Sequence, residues 1–173
     1  MPLIYITGPS GAGKSTVRNE LVKRGCEAHD TDEDGLSGWY DNQTLEPVLF
    51  PKADSRPEDW FEKHDFRLSE ERVKELAARA KTNLIFLCGI PANDNEFREY
   101  YDKVICLVID KETMKHRVAT RTTNDFGKSP DELKLMLYWH GKMLERYKEW
   151  GAVMVDASRP LDDVVAEILE VSS

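Results

Sequence analysis

The 173 residues predict an α/β domain in which a five-stranded parallel sheet is flanked by helices on both faces. Short apolar runs alternate with amphipathic stretches of helical period along the whole chain, the pattern of strands joined by crossover helices. A glycine-rich loop joins the first apolar run to the first helical stretch. No internal repeat, low-complexity tract or linker divides the chain, and its length suits one core.

Leu3–Thr7 (LIYIT) is short, apolar and ends at a glycine, so it reads as a buried strand. The helix after the loop turns Val17, Leu21 and Val22 inward and stops at Gly25. Residues 26–29 form a short second strand. Residues 30–57 are acidic and rich in Gly, Trp and Pro, and read as an irregular loop with one short helix; 58–67 reads as a helix. Val73, Leu76, Ala77 and Ala80 have the i, i+3, i+4, i+7 spacing of a further helix. Residues 84–88 (LIFLC) and 104–109 (VICLVI) are the third and fourth strands. Asp110 caps a helix running to about Thr122. Ser129, Pro130 and Glu132 supply a cap, a first-turn proline and a capping-box acid for a helix that continues to about Trp150. Leu133, Met136, Leu137, Leu144 and Tyr147 lie on its inward side, and a buried His140 there reads as packed. Residues 152–155 are the fifth strand. Leu161, Val164, Val165, Ile168 and Leu169 mark the last helix, with Ser158 as its cap and Pro160 as its first residue.

Forty per cent of residues are apolar and 32% charged, which predicts a soluble globular chain. No apolar run approaches the roughly 20 residues of a membrane span, and no basic region precedes the first apolar stretch as in a signal peptide. Cys26, Cys88 and Cys106 are odd in number, far apart and set in apolar runs. They read as reduced core thiols, with neither metal-ligand spacing nor a disulfide framework, and a cytoplasmic location follows. A net charge of -8 argues against nucleic acid as a surface partner. It also repels nucleotide, so a phosphate site must concentrate cations and backbone amides locally. A monomer or homodimer is expected.

Residues 8–15, GPSGAGKS, supply such a concentration, matching G-x-x-x-x-G-K-[ST] between a strand and a helix. Gly8, Gly11 and Gly13 let successive N–H groups aim at phosphate oxygens, with Ala12, Lys14, Ser15 and Thr16 completing the cradle. The helix adds the positive end of its dipole. Lys14 brings a mobile cation to the β- and γ-phosphates, and the Ser15 hydroxyl is a Mg²⁺ ligand, so ATP and Mg²⁺ are the expected cofactors. The N/T-K-x-D motif of a GTPase and the signature of an ABC ATPase are absent; Asp32-x-x-Gly35 is too short a pattern to count. An AAA-type motor needs a strand ending in Asp-Glu, but Lys111 follows Asp110, which is better explained as a cap.

The phosphate loop within the first 16 residues, the carboxylates Asp30-Thr31-Asp32 after the second strand, RVATRTTNDFGKSP (117–130) and VDASRPLDDVV (155–165) together resemble the shikimate kinase, gluconate kinase and nucleoside monophosphate kinase group. The chain is also similar to bacterial kinase-like ATP-binding proteins with an R-T-T-N-x-x-G-K-[ST]-P lid. The resemblance covers nearly the whole chain. It implies a three-layer P-loop NTPase fold forming one domain over 1–173, with an acceptor-binding insert at about 31–81 and a lid at about 121–130. It further implies an ATP-dependent phosphotransferase acting on a small-molecule hydroxyl or nucleotide phosphate; the alternative is a nucleotide-binding regulatory module or weak NTPase. By the same resemblance, Asp30 holds Mg²⁺ through water, and Asp32 meets the acceptor hydroxyl as base. Arg121 stacks on adenine, Lys128 reaches the phosphates from a lid hinged at Gly127, and Ser158, Arg159 and Pro160 wrap the adenine edge. The family's glycine-rich stretch after the third strand is reduced to Cys88-Gly89-Ile90-Pro91, which points away from shikimate itself.

Ala92, Asn93, Asp94 and Asn95 are then expected along the acceptor pocket. Trp39, Tyr40, Trp60, Phe61, His64 and Phe66 crowd the insert, as a stacking surface for a base or sugar or as the insert's own core. Arg56 and Arg67 are candidates for an anionic group on the acceptor. Arg117 lies four residues before Arg121, on one helical face.

Overall fold

The computed structural model describes residues 2–122 and 125–173; Thr123 and Asn124, within the expected lid, lie outside the described residues. β1 (Leu3–Thr7) leads through the glycine-rich loop to α1 (Lys14–Lys23) and β2 (Glu27–Asp30). A small unit follows, made of β3 (Ser37–Asp41), β4 (Pro47–Val48), α2 (Trp60–Lys63) and β5 (His64–Leu68). Then come α3 (Glu70–Ala80), β6 (Ile85–Cys88), β7 (Lys103–Val108), α4 (Lys111–Thr120), α5 (Pro130–Glu149), β8 (Val153–Asp156) and α6 (Leu161–Ser172).

The main sheet has the order β2-β6-β1-β7-β8, with every pairing parallel. All five expected strands therefore form, and their carboxyl ends share one edge. Strand pleating divides the core in two. Ile4 and Ile6 face Val17 and Leu21 of α1, Met114 of α4 and Val165 of α6. Leu3 and Tyr5 face Val73 and Leu76 of α3 and Tyr147 of α5. The result is a three-layer α/β P-loop NTPase fold. Among the described residues, no helix is long and apolar enough to cross a membrane.

Several helix ends follow the local chemistry. Asp110 caps α4, its Oδ1 accepting from the Thr113 N–H at 2.7 Å. Gly25, at φ 85°, turns the chain out of α1 and donates to the Val22 carbonyl. His140 is buried, its Nε2 2.8 Å from the Ile109 carbonyl.

Other expectations are corrected. Residues 30–57 hold two strands, and 58–67 is not a helix: only Trp60–Lys63 coils before His64–Leu68 extends. β5 pairs antiparallel with β3, Trp39 opposite Phe66. This cross-strand partnership overrides the weak local preference. Val22 is 47% exposed rather than inward. Ser129 Oγ donates to Asp131, and Glu132 accepts from the Gly127 N–H at 2.7 Å, so the expected capping box does not form. Pro160 occupies the cap position of α6 rather than its first turn, and Ser158 bonds to Asp156. Cys88 and Cys106 are buried, but Cys26 only partly.

Candidate active site

The phosphate loop runs from the end of β1 into α1. Gly8, at φ 141°, packs so closely on β7 that a Cβ there would lie 2.5 Å from the Leu107 carbonyl oxygen. Gly13 caps α1 at φ 95° and brings no side chain to occupy the first-turn amides. Those amides have no partner within a helix and remain available to an anion. Lys14 Nζ curls over the loop, donating to the carbonyls of Gly8 at 2.8 Å and Pro9 at 3.0 Å. Crowding by the loop lowers the Lys14 pKa, and the nearby charges of Asp32 and Asp30 oppose that shift.

Two carboxylates from the end of β2 meet the start of α1. Ser15 Oγ donates to Asp30 Oδ2 at 2.8 Å. Asp30 is buried, and its Oδ1 accepts the N–H groups of Asp32 at 2.9 Å and Glu33 at 3.2 Å, which fixes the turn. Hydroxyl and carboxylate are hard oxygen donors, and Mg²⁺ takes one or two such protein ligands beside phosphates and water. The Ser15–Asp30 pair fits that ion. Among the described residues, no group of three or more His, Cys, Asp or Glu is gathered to hold a metal. Asp32 opens onto the cleft. Crowding by the cleft walls raises its carboxyl above the ordinary carboxylate value; the hydroxyl of Thr31, donating at 2.7 Å, opposes this, while the charge of Asp30 adds to it. Water reaches Asp32 and screens part of that effect.

A cleft of 1210 Å³ extends from the loop, larger than the roughly 300–1,000 Å³ of a single ligand pocket. Ala12, Gly13, Lys14, Ser15, Thr16, Asp30 and Asp32 line one part of it. Arg117, Arg121 and Arg159 approach the loop from α4 and the turn after β8. Arg117 donates to the carbonyls of Gly11 at 3.3 Å and Ala157 at 3.0 Å, tying loop to sheet edge. Arg121 lies just past the end of α4, with Nη1 3.4 Å from Ser10 Oγ and Nη2 bonded to the Phe126 carbonyl. Burial lowers its pKa. Lys128 instead pairs with Asp125 at 2.8 Å and does not line the cleft. Neither do Gly8, Ser158 and Pro160, although Ala157 and Arg159 beside them do.

The insert forms the facing wall. Trp39 stacks on Phe50 at 4.7 Å and packs with Phe61 and Phe66, so the aromatics form a small core that also lines the cleft. Both candidate arginines are already engaged. The Arg56 side chain is 2% exposed and pairs with Glu132 at 2.7 Å and Asp131 at 3.1 Å, its guanidinium 4.3 Å from the Phe50 ring centre. Arg67 pairs with Glu96 at 2.7 Å. In the loop after β6, Ala92 lines the cleft, but Asn93 is buried and bonds the backbone of Leu68, and Asp94 is buried among tyrosines.

Leu135, Trp139, Met143 and Arg146 of α5 also line the cleft and were not singled out by sequence. They recur at i, i+4, i+8 and i+11, one stripe round from the inward face. The run of residues between helical repeats was the available signal.

Comparison with known proteins gives one family and one fold. A family model described as AAA domain matches residues 4–135. No curated protein matches the sequence. Among solved structures, a shikimate kinase from Acinetobacter baumannii in complex with shikimate is 20% identical, with 99% of this chain and 92% of that chain covered and a TM-score of 0.63. A shikimate kinase from Aquifex aeolicus is 23% identical over 98% and 94%, with a TM-score of 0.57. A gluconokinase from Sinorhizobium meliloti is 18% identical over 99% and 91%, with a TM-score of 0.54. The fold is thus that of the P-loop small-molecule kinase group.

Proposed function

This chain belongs to the AAA domain family, and from that premise we propose that it is an ATP-dependent phosphotransferase acting on a small molecule. The observation that carries this reading is the meeting of two carboxylates with the phosphate loop: Asp30 bonded to Ser15, and Asp32 open to the cleft beside Lys14. A motor bearing the family's name needs an Asp-Glu pair at a strand end to activate water. Here Lys111 follows Asp110, and Asp110 is spent on capping α4.

In this reading the amides of residues 11–16 and Lys14 hold the β- and γ-phosphates of ATP. Ser15 and Asp30 hold Mg²⁺, which supplies charge to neutralise those phosphates. Asp32 accepts the proton of the acceptor hydroxyl as its oxygen bonds to the γ-phosphorus. The bridging bond from that phosphorus to the β-phosphate oxygen breaks, and ADP leaves. Positioning and charge neutralisation supply most of the rate in such a transfer, so these few groups suffice. Arg121 and Arg159 would border the nucleotide, with the Arg121 guanidinium stacking on its base. Lys128 would have to leave Asp125 to reach a phosphate. An acceptor with a phosphate in place of the hydroxyl needs no base, and Asp32 would then serve only to orient it. Three free cysteines suit a reducing compartment such as the cytoplasm.

Asp32→Asn is the direct test. It should leave Mg–ATP affinity unchanged and abolish transfer to a hydroxyl; full transfer by the variant would remove Asp32 as the base.

A further inference from the structure

We propose that the phosphate acceptor is an anion with a flat apolar body, its charged group held by Arg146 and its body laid along the α5 stripe that ends at that arginine. This deepens the phosphotransferase reading and rests on it.

Lys14, Arg117, Arg121 and Arg159 surround the phosphate loop, and Arg117 is spent on two carbonyls. Arg56 is buried against Glu132, and Arg67 is paired with Glu96. Among the described residues, Arg146 is the one Lys or Arg that lines the cleft away from the loop.

Arg146 is also held in place before any ligand arrives. Its Nη2 lies 3.1 Å from Asp94 and 2.9 Å from the Tyr147 hydroxyl. Its guanidinium carbon is 4.9 Å from the Tyr147 ring centre and 5.4 Å from that of Trp150. Asp94 is fully buried and also accepts from Tyr5 at 3.1 Å and from Tyr147. Its single charge is thus shared among three donors, which leaves positive potential on the guanidinium. Nε is buried without a partner. Nη2 is engaged and Nε is closed off, which leaves Nη1 for a ligand, and a preorganised arginine with such a donor is suited to an anionic oxygen.

The cleft walls around Arg146 are largely apolar: Leu135, Trp139 and Met143 come from α5 and Trp39, Phe66 and Ile90 from the insert and the loop after β6, with Ser37, His64 and Asp65 the polar groups among the lining residues of β3 and β5. A polyhydroxylated acceptor would leave hydroxyls unpaired against the apolar part of these walls. A flat ring instead gains burial on both faces.

The test uses equilibrium titration of the full chain with ADP and Mg²⁺ present, so that it does not depend on turnover. The probes are 3-(hydroxymethyl)benzoate, its uncharged amide, phenyl phosphate and gluconate. The benzoate should bind at least about ten-fold more tightly than the amide. Arg146→Gln should erase that difference, and Arg146→Lys should keep part of it. Tighter phenyl phosphate than benzoate identifies a phosphate-bearing acceptor, and the reverse a carboxylate. Equal affinity for benzoate and amide, no binding of either aromatic anion, or tighter binding of gluconate would overturn the proposal. The benzoate–amide comparison in the unaltered protein stands even if the Arg146 variants do not fold. Benzoate binding through Arg146 together with no phosphate transfer from ATP to any acceptor would defeat the phosphotransferase reading and leave the anion site standing.

Discussion

Ser15 and Asp30 join the first turn of α1 to the end of β2, the serine hydroxyl donating to the buried carboxylate at 2.8 Å. The loop that cradles phosphate and the strand that carries the acidic pair therefore share one hydrogen bond. Ser15→Ala should remove both this bond and a Mg²⁺ ligand. Calorimetry should show affinity for Mg–ATP falling about ten- to a hundred-fold, the range of a lost charge-assisted bond. Affinity for ATP without Mg²⁺ should change much less.

Asp32 gives the pH dependence its sign. Only the ionised carboxylate accepts a proton, so kcat/KM rises as pH passes upward through its pKa. Crowding raises that pKa. The acid limb should therefore lie above the ordinary aspartate value of about 3.9. A profile flat down to that value would exclude Asp32 as the titrating group.

Arg56 binds the insert to the head of α5 through Glu132, and both side chains are almost wholly buried. Arg56→Met should strand the Glu132 charge and destabilise the protein by roughly 3–5 kcal/mol in urea unfolding. Adding Glu132→Gln should recover part of that loss. Additive losses in the double variant would show that the two side chains do not interact.

Two glycines should respond in opposite directions to alanine. A Cβ at Gly89 would lie 2.0 Å from Thr31 Oγ1, between Asp30 and Asp32 in sequence. Gly89→Ala should lower stability by about 1–3 kcal/mol and lower turnover with it. Nothing lies within 4 Å of a Cβ at Gly141, inside α5. Gly141→Ala should raise stability by about 0.5–1 kcal/mol. Urea unfolding of both variants checks the pair.

The main sheet was legible because four of its five strands carry apolar runs, β2 (Glu-Ala-His-Asp) being the exception, and the phosphate loop because its parts are adjacent in sequence. The insert was not. β5 reads His-Asp-Phe-Arg-Leu, and its extension depends on β3, with Trp39 and Phe66 paired across the strands. The fate of Arg56 depended on Asp131, 75 residues away, and no local pattern announces such a pairing. Asp30 and Asp32 were visible as a pair, but their difference was not. Burial and three donors hold Asp30, while Asp32 is left open to the cleft. Lys128 looked like a phosphate ligand from its place in the lid, and its contact with Asp125 three residues earlier is the ordinary pairing of neighbours in a turn.

The destination of the γ-phosphoryl group tests the central claim most directly. ATP labelled at that position, incubated with the protein, Mg²⁺ and a panel of hydroxyl and nucleotide acceptors, should pass its label to an acceptor. Lys14→Met should abolish the transfer. Label released only as inorganic phosphate, at the same rate with and without every acceptor, would contradict the account and leave a weak NTPase.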